Sequence, residues 1–240
     1  MSFVLILLSL SAIAAKPKKE VVWNEYRIEI KNMTLKSHKP LTNYSRSRKY
    51  IMQEIHLKSD AEGYYVHDVY CNINYRERVA PDSMPSSGLI NIEHTMPKKN
   101  FNDDLSYFEQ VSDLHNLYPT NSKANSVRGH KDFSDLSGNA TSSSLEGCSA
   151  SKYGYNFDAG AKGFEPPSEQ KGNVARALFY FSVRYDITIG EHEEALMRLW
   201  NILDPVDSFE RSRNDKIEKI QGNRNPFIDD AQYADLISNF

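Results

Sequence analysis

The chain has 240 residues, of which 40% are hydrophobic and 25% are charged, and its formal net charge at pH 7 is -3. This composition excludes a disordered tail, because it supplies enough apolar side chains for the core of one large domain. The sequence contains no glycine-rich phosphate loop and no dinucleotide fingerprint, so it gives no support to an ATP- or NAD-dependent role.

The first residues have the pattern of a secretory signal. Residues 3–15 form a short apolar run that ends in small residues, and residues 12–14 fit an A-x-A cleavage site. The run is short for a membrane span, and an uncleaved N-terminal anchor is the alternative. We therefore expect a signal peptide over residues 1–15, a secreted or periplasmic protein, and no stable membrane association after cleavage.

The segment after the signal is basic. Between residues 16 and 50 there are ten lysines and arginines against three glutamates. We assign residues 16–42 to a basic N-terminal extension, in which residues 21–30 have the pattern of a strand or an extended arm. Such an arm can attract nucleic-acid phosphates, whereas a solvated leader behind a signal peptide is the alternative.

Early elements are predicted as a helix and strands. Residues 43–56 carry an apolar stripe at helical spacing, and residues 63–71 are rich in β-formers and are expected to continue as a strand through residues 72–76. A proline- and serine-rich loop over residues 80–88 leads to a strand at residues 89–93.

Later elements are predicted to be mainly helical. Residues 134–152 are rich in serine and glycine and are expected to be irregular. A buried helix follows the Pro166 and Pro167 pair, and an amphipathic helix over residues 191–203 carries Leu199, Trp200 and Leu203 on its apolar side. Asp204 is the predicted N-cap of a last helix that ends at Gly222. This order of elements predicts an α+β fold.

Residues 90–130 carry the types of side chain that phosphodiester hydrolysis at one divalent metal requires. A neutral imidazole such as His94 takes a proton from water, and oxygen atoms such as those of Glu93 and Asn125 bind a hard cation such as magnesium. Arg128 is of the type that binds phosphate. Adjacent residues of a strand point to opposite faces, so we expect the strand to end or kink at Glu93 and His94.

The two cysteines, Cys71 and Cys148, allow one disulfide in an exported protein. Two free buried thiols are the alternative, because sequence does not show how closely the two backbones approach.

Taken together, these residues resemble the endonuclease I family of secreted or periplasmic bacterial nucleases, which have a ββα-metal (His-Me finger) site. The similarity spans residues 43–230. The matching segments are residues 91–97 (NIEHTMP), 113–119 (DLHNLYP) leading to Asn125, 164–167 (FEPP), 171–177 (KGNVARA), 203–206 (LDPV) and 221–227 (QGNRNPF).

The resemblance implies that a ββα-metal element is embedded in a mixed, largely helical domain over residues 43–240. It also implies that His94 is the general base and that Glu93 and Asn125 hold one Mg²⁺, with Mn²⁺ and Ca²⁺ as alternatives. Some family members carry a phosphate-binding arginine between these segments, but residues 98–112 contain none. Lys98, Lys99 and Arg128 are the available cations, and Arg128 is preferred.

We therefore expect a monomeric, secreted, metal-dependent endonuclease of low sequence specificity. Its partners would be DNA and also RNA, without a nucleotide cofactor, and cleavage would leave a 5′ phosphate, as the resemblance implies. A non-catalytic exported protein that binds nucleic acids or other polyanions is one alternative. A structure-specific nuclease is the other.

Overall fold

The computed structural model describes the backbone of residues 19–240 and the side chains from Glu25 onward. The predicted signal peptide, residues 1–15, lies outside the described residues. Within the described part of the chain, no helix combines the length and the apolar character needed to cross a membrane.

The first described element is a helix, α1 (Lys19–Leu35), so the prediction of a strand or extended arm over residues 21–30 was wrong. Ile30 and Thr34, four residues apart, are both buried, as expected for one face of a helix. Arg27 donates hydrogen bonds to the backbone oxygens of Ser182 (3.1 Å) and Asn239 (3.0 Å). This part of the basic segment is therefore packed against the rest of the fold.

The predicted helix over residues 43–56 is confirmed as α2 (Tyr44–Tyr50), which continues as a π-helical turn over Ile51–Ile55. Asn43 caps it, because its side chain accepts a hydrogen bond from the backbone N–H of Arg46 at 3.0 Å. Ile51, Met52 and Ile55, which belong to the predicted apolar stripe, are fully buried, as the helical spacing predicts.

Three short strands follow in an antiparallel sheet of order β1-β2-β3: β1 (Leu57–Asp60), β2 (Gly63–His67) and β3 (Asn74–Tyr75). The predicted strand over residues 63–71 is thus shorter, and residues 72–76 return along it instead of continuing it. The reversal has a local cause. The Asp68 carboxylate accepts from the backbone N–H of Tyr70 at 2.9 Å, and Asn72 has a φ of 56°.

A second antiparallel pair joins β4 (Ile90–His94) to β5 (Leu117–Asn121), which leads directly into α4 (Ser122–Arg128). Between the two strands lie a 3₁₀ turn (Lys98–Asn100), helix α3 (Tyr107–Ser112) and a second 3₁₀ turn (Leu114–Asn116). Asn121 caps α4 by accepting from the backbone N–H groups of Lys123 (2.9 Å) and Ala124 (3.0 Å).

A four-stranded sheet of order β6-β9-β8-β7 follows, so the prediction of irregular structure over residues 134–152 was wrong in part: residues 143–145 and 148–152 lie in its strands, whereas residues 134–142 lie in none. Its strands are β6 (Asp132–Phe133), β7 (Ser143–Leu145), β8 (Cys148–Asn156) and β9 (Ala161–Glu165). Serine and glycine have weak strand propensity, and the pairing of β8 with β7 on one side and β9 on the other overrides it. At Gly154 the segment just before β7 comes so close that a Cβ atom would collide with the backbone oxygen of Thr141.

The late helical layer is confirmed. It consists of α5 (Lys171–Tyr185), α6 (Glu191–Leu203), α7 (Ser208–Gln221) and α8 (Pro226–Asp229), with 3₁₀ turns at Ser168–Gln170 and Ala231–Leu236. Helix α7 ends at Gly222, with a φ of 81°, as predicted, but its N-cap is Asp207 and not Asp204. The predicted apolar side of α6 was also wrong in part: Trp200 is buried, whereas Leu199 and Leu203 are 47% and 68% exposed.

The fold is therefore α+β, as expected, with two buried apolar clusters. The larger cluster surrounds α5, and the smaller one lies between the turn at Ile51–Ile55 and the β4–β5 pair. Strand β4 contributes Ile90 and Ile92 to the smaller cluster, while Met96, just after it, belongs to the larger one. The end of β4 is thus held between two packed cores.

Cys71 and Cys148 form a disulfide, the first of the two alternatives, and their Cα atoms lie 4.5 Å apart. The bridge ties the chain after β2 to the start of β8, across 77 residues of sequence. Cross-linking such a long loop limits the unfolded chain more than the folded one.

Replacing both cysteines with alanine should lower the free energy of unfolding by about 2–4 kcal/mol. Urea denaturation would measure this. Reduction of the disulfide in the wild-type protein should lower its free energy of unfolding by the same amount. The reducing agent should not change the stability of the double variant. Equal midpoints for the oxidised wild type and the double variant would contradict the expectation.

Candidate active site

A polar cleft of about 370 Å³ lies at the end of β4 and beside α4. The structure brings three of the predicted site residues, Glu93, His94 and Asn125, together in its lining. The other lining residues are Tyr44, Asn91, Ile92, Pro97, Lys98, Ser126 and Gly129.

Strand β4 ends at His94, as expected from the need for both Glu93 and His94 to reach one pocket. Pairing with β5 is regular up to that point, since Glu93 lies opposite Tyr118 and His94 opposite Leu117. The two side chains leave opposite faces of the strand, and the cleft lies where the strand stops, so both contact it.

His94 is buried and held on three sides. Its Nε2 atom lies 3.0 Å from the backbone oxygen of Val111, its ring stacks on Tyr44 at 5.4 Å, and the edge of Phe101 lies nearby. In the neutral ring, Nε2–H donates to Val111, which leaves the lone pair on Nδ1. Nδ1 forms no hydrogen bond within the described residues, so it is free to accept a proton.

Burial lowers the pKa of His94 to about 4, and the positive charges of Lys98 and Arg128 act in the same direction, while the hydrogen bond to Val111 opposes them. The imidazole is therefore neutral near pH 7. A neutral imidazole is the form that a general base requires.

Glu93 is 2% exposed and is fixed by two partners. Its Oε1 atom accepts hydrogen bonds from the Tyr70 hydroxyl at 2.9 Å and from Arg128 at 2.7 Å. Burial raises the pKa of Glu93, whereas the charge of Arg128 lowers it. Within the described residues Oε2 has no hydrogen-bond partner, so one carboxylate oxygen remains for a ligand in the cleft.

Arg128 does not have the environment expected of a phosphate-binding residue. It is 1% exposed, pairs with Glu93, and donates to the backbone oxygens of His94 (2.8 Å) and Thr95 (2.7 Å). Its guanidinium group lies at the end of β4, where it donates its hydrogen bonds to these three acceptors. Because α4 turns Arg128 inward, the preference for Arg128 over Lys98 was wrong. Lys98 is exposed and lines the cleft.

Asn125 lies on α4 and is not its cap, since Asn121 has that role. The side-chain Nδ2 of Asn125 donates to Asn91 Oδ1 at 2.7 Å and to the backbone oxygen of Ile92 at 3.0 Å. Both amide hydrogens are therefore used, and Oδ1 has no partner within residues 25–240.

These oxygens decide whether the site fits a hard cation. Among the described residues, no group of three or more His, Cys, Asp or Glu side chains could hold a metal. A carboxylate oxygen of Glu93 and the amide oxygen of Asn125, which line the same cleft without hydrogen-bond partners, do fit an ion such as Mg²⁺, which binds few protein oxygens and keeps several waters.

The sequence pattern alone did not single out Tyr44, Tyr70 and Asn91. Asn91 had a detectable signal, because it lies two residues before Glu93 and therefore on the same face of the strand. Tyr44 and Tyr70 are distant in sequence and meet the site only through packing.

Other motif residues lie in a separate buried network. The Asp113 carboxylate accepts hydrogen bonds from Tyr180 (2.9 Å), Tyr185 (2.8 Å) and Gln221 (2.9 Å), and His115 Nε2 lies 3.2 Å from the backbone oxygen of Asn223. The network connects the segment before β5 to α5 and to the end of α7, so it supports the fold beneath the site.

Comparison with known proteins finds a nuclease family and nuclease relatives. A family model described as Endonuclease I matches residues 22–232. The chain is 36% identical over 144 residues to an extracellular ribonuclease of Bacillus subtilis (strain 168), a match that covers 52% of this chain and 46% of that protein. It is 31% identical over 134 residues to Endonuclease-1 of Buchnera aphidicola, which covers 55% and 50% of the two chains.

An extracellular deoxyribonuclease of Aeromonas hydrophila is 27% identical over 189 residues, with 66% of this chain and 78% of that protein covered. The chain spans about half the length of the Bacillus and Buchnera proteins that it matches.

Proposed function

The chain belongs to the endonuclease I family, and on that premise we propose that it is a secreted or periplasmic, metal-dependent endonuclease that hydrolyses DNA and also RNA. The observation that carries the proposal is the cleft that a neutral His94 lines together with Glu93 and Asn125, where His94 Nδ1 and one side-chain oxygen of each of the other two have no hydrogen-bond partner among the described residues. Relatives named as deoxyribonucleases and as a ribonuclease support both nucleic acids as substrates.

We assign β4, β5 and α4 to the ββα-metal element. In this assignment β4 supplies the base and the carboxylate, and α4 supplies the amide. The support is local. Two antiparallel strands run directly into a helix, and side chains from the first strand and from the helix line one cleft. All of these groups come from one chain, so the reaction needs no second subunit.

His94 performs the proton transfer in the proposed mechanism. Its Nδ1 takes a proton from the water that attacks phosphorus, while Val111 and Tyr44 keep the ring in place. The water oxygen bonds to phosphorus in line with the bond to the 3′ oxygen, which breaks; the 3′ oxygen takes a proton from solvent water, and the other product carries a 5′ phosphate. Lys98, at the edge of the cleft, provides a positive charge for a phosphate oxygen.

Glu93 and Asn125 are the residues that would hold a divalent cation, Mg²⁺ in our proposal, with Mn²⁺ and Ca²⁺ as alternatives of the same oxygen preference. When bound, such an ion stabilises the negative charge that develops on the phosphate oxygens. Arg128 and Tyr70 act by holding the Glu93 carboxylate in place. These groups contact phosphate and water and none reads a base edge, which is why we expect low sequence specificity.

The proposal is tested by incubating the purified protein with supercoiled plasmid in Mg²⁺ or in EDTA. We expect nicking and then a smear of fragments in Mg²⁺, with intact plasmid in EDTA. Retarded migration at low salt without cleavage under any metal condition would identify a binding protein instead. Discrete bands would identify a structure-specific nuclease.

A matched pair of variants assigns the cation requirement to the site. Asn125→Ala should raise the Mg²⁺ concentration needed for half-maximal cleavage by about 10-fold or more, because it removes one protein oxygen. Asn139→Ala removes an exposed amide that bonds Asp158, outside the cleft lining, and should leave the requirement unchanged. Equal Mg²⁺ requirements for both variants would exclude Asn125 as a ligand.

A further inference from the structure

Exposed aromatic rings lie at the start of α3. Tyr107 is 50% exposed and Phe108 is 65% exposed, and their ring centroids are 6.0 Å apart with the planes at 79°. Two nearly perpendicular rings form a corner, which we call the rim corner. Single exposed aromatic residues are common on protein surfaces, whereas adjacent exposed aromatic rings often mark a binding site.

The rim corner is connected to the cleft. The Phe101 ring lies 6.0 Å from Tyr107 and 6.2 Å from His94, so one buried ring separates the corner from the proposed base. Lys98, three residues before Phe101, lines the cleft and is exposed, and Lys99 is also exposed. The corner thus lies at the end of the segment that joins β4 to α3, one buried ring away from His94.

We propose that the rim corner binds one unpaired nucleobase of the substrate strand, next to the nucleotide whose phosphate lies at His94 and Lys98. The inference rests on the proposed nuclease function and names the substrate form. A flat base stacks on the open face of Phe108, and Tyr107 covers its edge. Every base has an aromatic face, so this contact does not require a particular sequence.

Charge separates the base side from the phosphate side. The cleft edge carries Lys98 and Lys99, whereas the turn that leads to the corner carries the exposed acids Asp103 and Asp104. Phosphates are attracted to the lysines and repelled by the aspartates, while an uncharged base is not repelled. A duplex would bring a second phosphate backbone toward the acidic turn and would hide its bases in the stack. The arrangement therefore favours a single strand.

The first test measures binding without cleavage. A fluorescent 12-nucleotide single strand and the matching duplex are titrated in EDTA by fluorescence anisotropy. Phe108→Ala should raise the Kd for the single strand by about 10-fold, because base–aromatic stacking contributes on the order of 1–3 kcal/mol per base. The duplex Kd should not change. Tyr107→Phe keeps the ring and should bind as the wild type does.

A matched control is Ile202→Ala on α6, which also removes an exposed apolar side chain, 72% exposed, but outside the cleft and the corner. It should leave both Kd values unchanged. Because Phe108 is mostly exposed, the Phe108→Ala variant should unfold in urea at the wild-type midpoint, which excludes a folding defect as the cause.

The second test uses cleavage in Mg²⁺. Phe108→Ala should raise KM for the single strand about 10-fold without changing kcat. The wild-type enzyme should show the same increase in KM with a single strand that has one abasic residue beside the cleaved bond. Phe108→Ala acting on the abasic substrate should show no further increase in KM.

The proposal that the rim corner binds a nucleobase would be overturned if Phe108→Ala left the single-strand Kd unchanged. It would also be overturned if Phe108→Ala raised the Kd values for the single strand and the duplex equally. A wild-type protein that fails to cleave plasmid but binds single strands through Phe108 would instead overturn the nuclease proposal and leave the rim corner standing. The two failures are thus distinguishable.

Discussion

Replacing His94 with alanine is expected to lower the rate of metal-dependent cleavage by about 10²–10⁴-fold, the usual contribution of a positioned general base. The buried ring is neutral, and its Nδ1 is the atom left free after Nε2 bonds Val111. No other imidazole among the described residues lines the cleft. Initial rates of plasmid nicking at saturating Mg²⁺ would measure the effect.

A second substitution guards against a packing artefact. His94→Gln retains an N–H group that reaches toward Val111 but lacks a base, so it should be as inactive as His94→Ala. His192→Ala, at an exposed histidine of α6, should cleave at the wild-type rate. Full activity in His94→Ala would show that another group takes the proton.

Replacing Arg128 with methionine is expected to lower the free energy of unfolding by about 3–5 kcal/mol and to abolish most of the activity. The substitution leaves the Glu93 carboxylate, which is 2% exposed, without its charged partner. It also removes the hydrogen bonds that Arg128 donates to the backbone oxygens of His94 and Thr95. Urea denaturation measures the first effect, and plasmid cleavage measures the second.

A double variant separates charge from packing. Arg128→Met combined with Glu93→Gln removes both charges, so it should be more stable than Arg128→Met alone while remaining inactive, because the carboxylate is lost. Arg211→Met, at an exposed arginine of α7, should change stability by no more than about 0.5 kcal/mol. A wild-type midpoint in Arg128→Met would rule out the buried ion pair as a stabilising feature.

Strong local patterns predicted the helices well. The bounds of α6 were predicted, as were the buried helix α5 and the end of α7 at Gly222, because side-chain spacing and capping residues act within a few positions. The predicted N-cap at Asp204 was wrong, since Asp207 lies nearer to the first turn and bonds the N–H of Glu210 at 2.7 Å.

Elements that depend on contacts with other elements were predicted poorly. Among the described side chains of α1, from Glu25 onward, only Ile30 and Thr34 are buried, and the charged residues around them concealed the helical period. Strands β7 and β8 have few β-formers of their own, and they exist because β8 pairs with β9, as between Tyr153 and Phe164. Cross-strand pairing of this kind leaves no local periodicity to read.

The family, the α+β class, the main helices and the chemical types present at the site could all be inferred from the amino-acid sequence, because each of these follows from local spacing or from motif order. Which side-chain atoms remain available for chemistry could be seen only in the folded protein. It joined Cys71 to Cys148, turned Arg128 under Glu93 instead of toward the cleft, and left Lys98 at the edge. The physical reason is that burial and hydrogen-bond partners come from residues far apart in the chain, and these partners set the charge state and direction of each side chain.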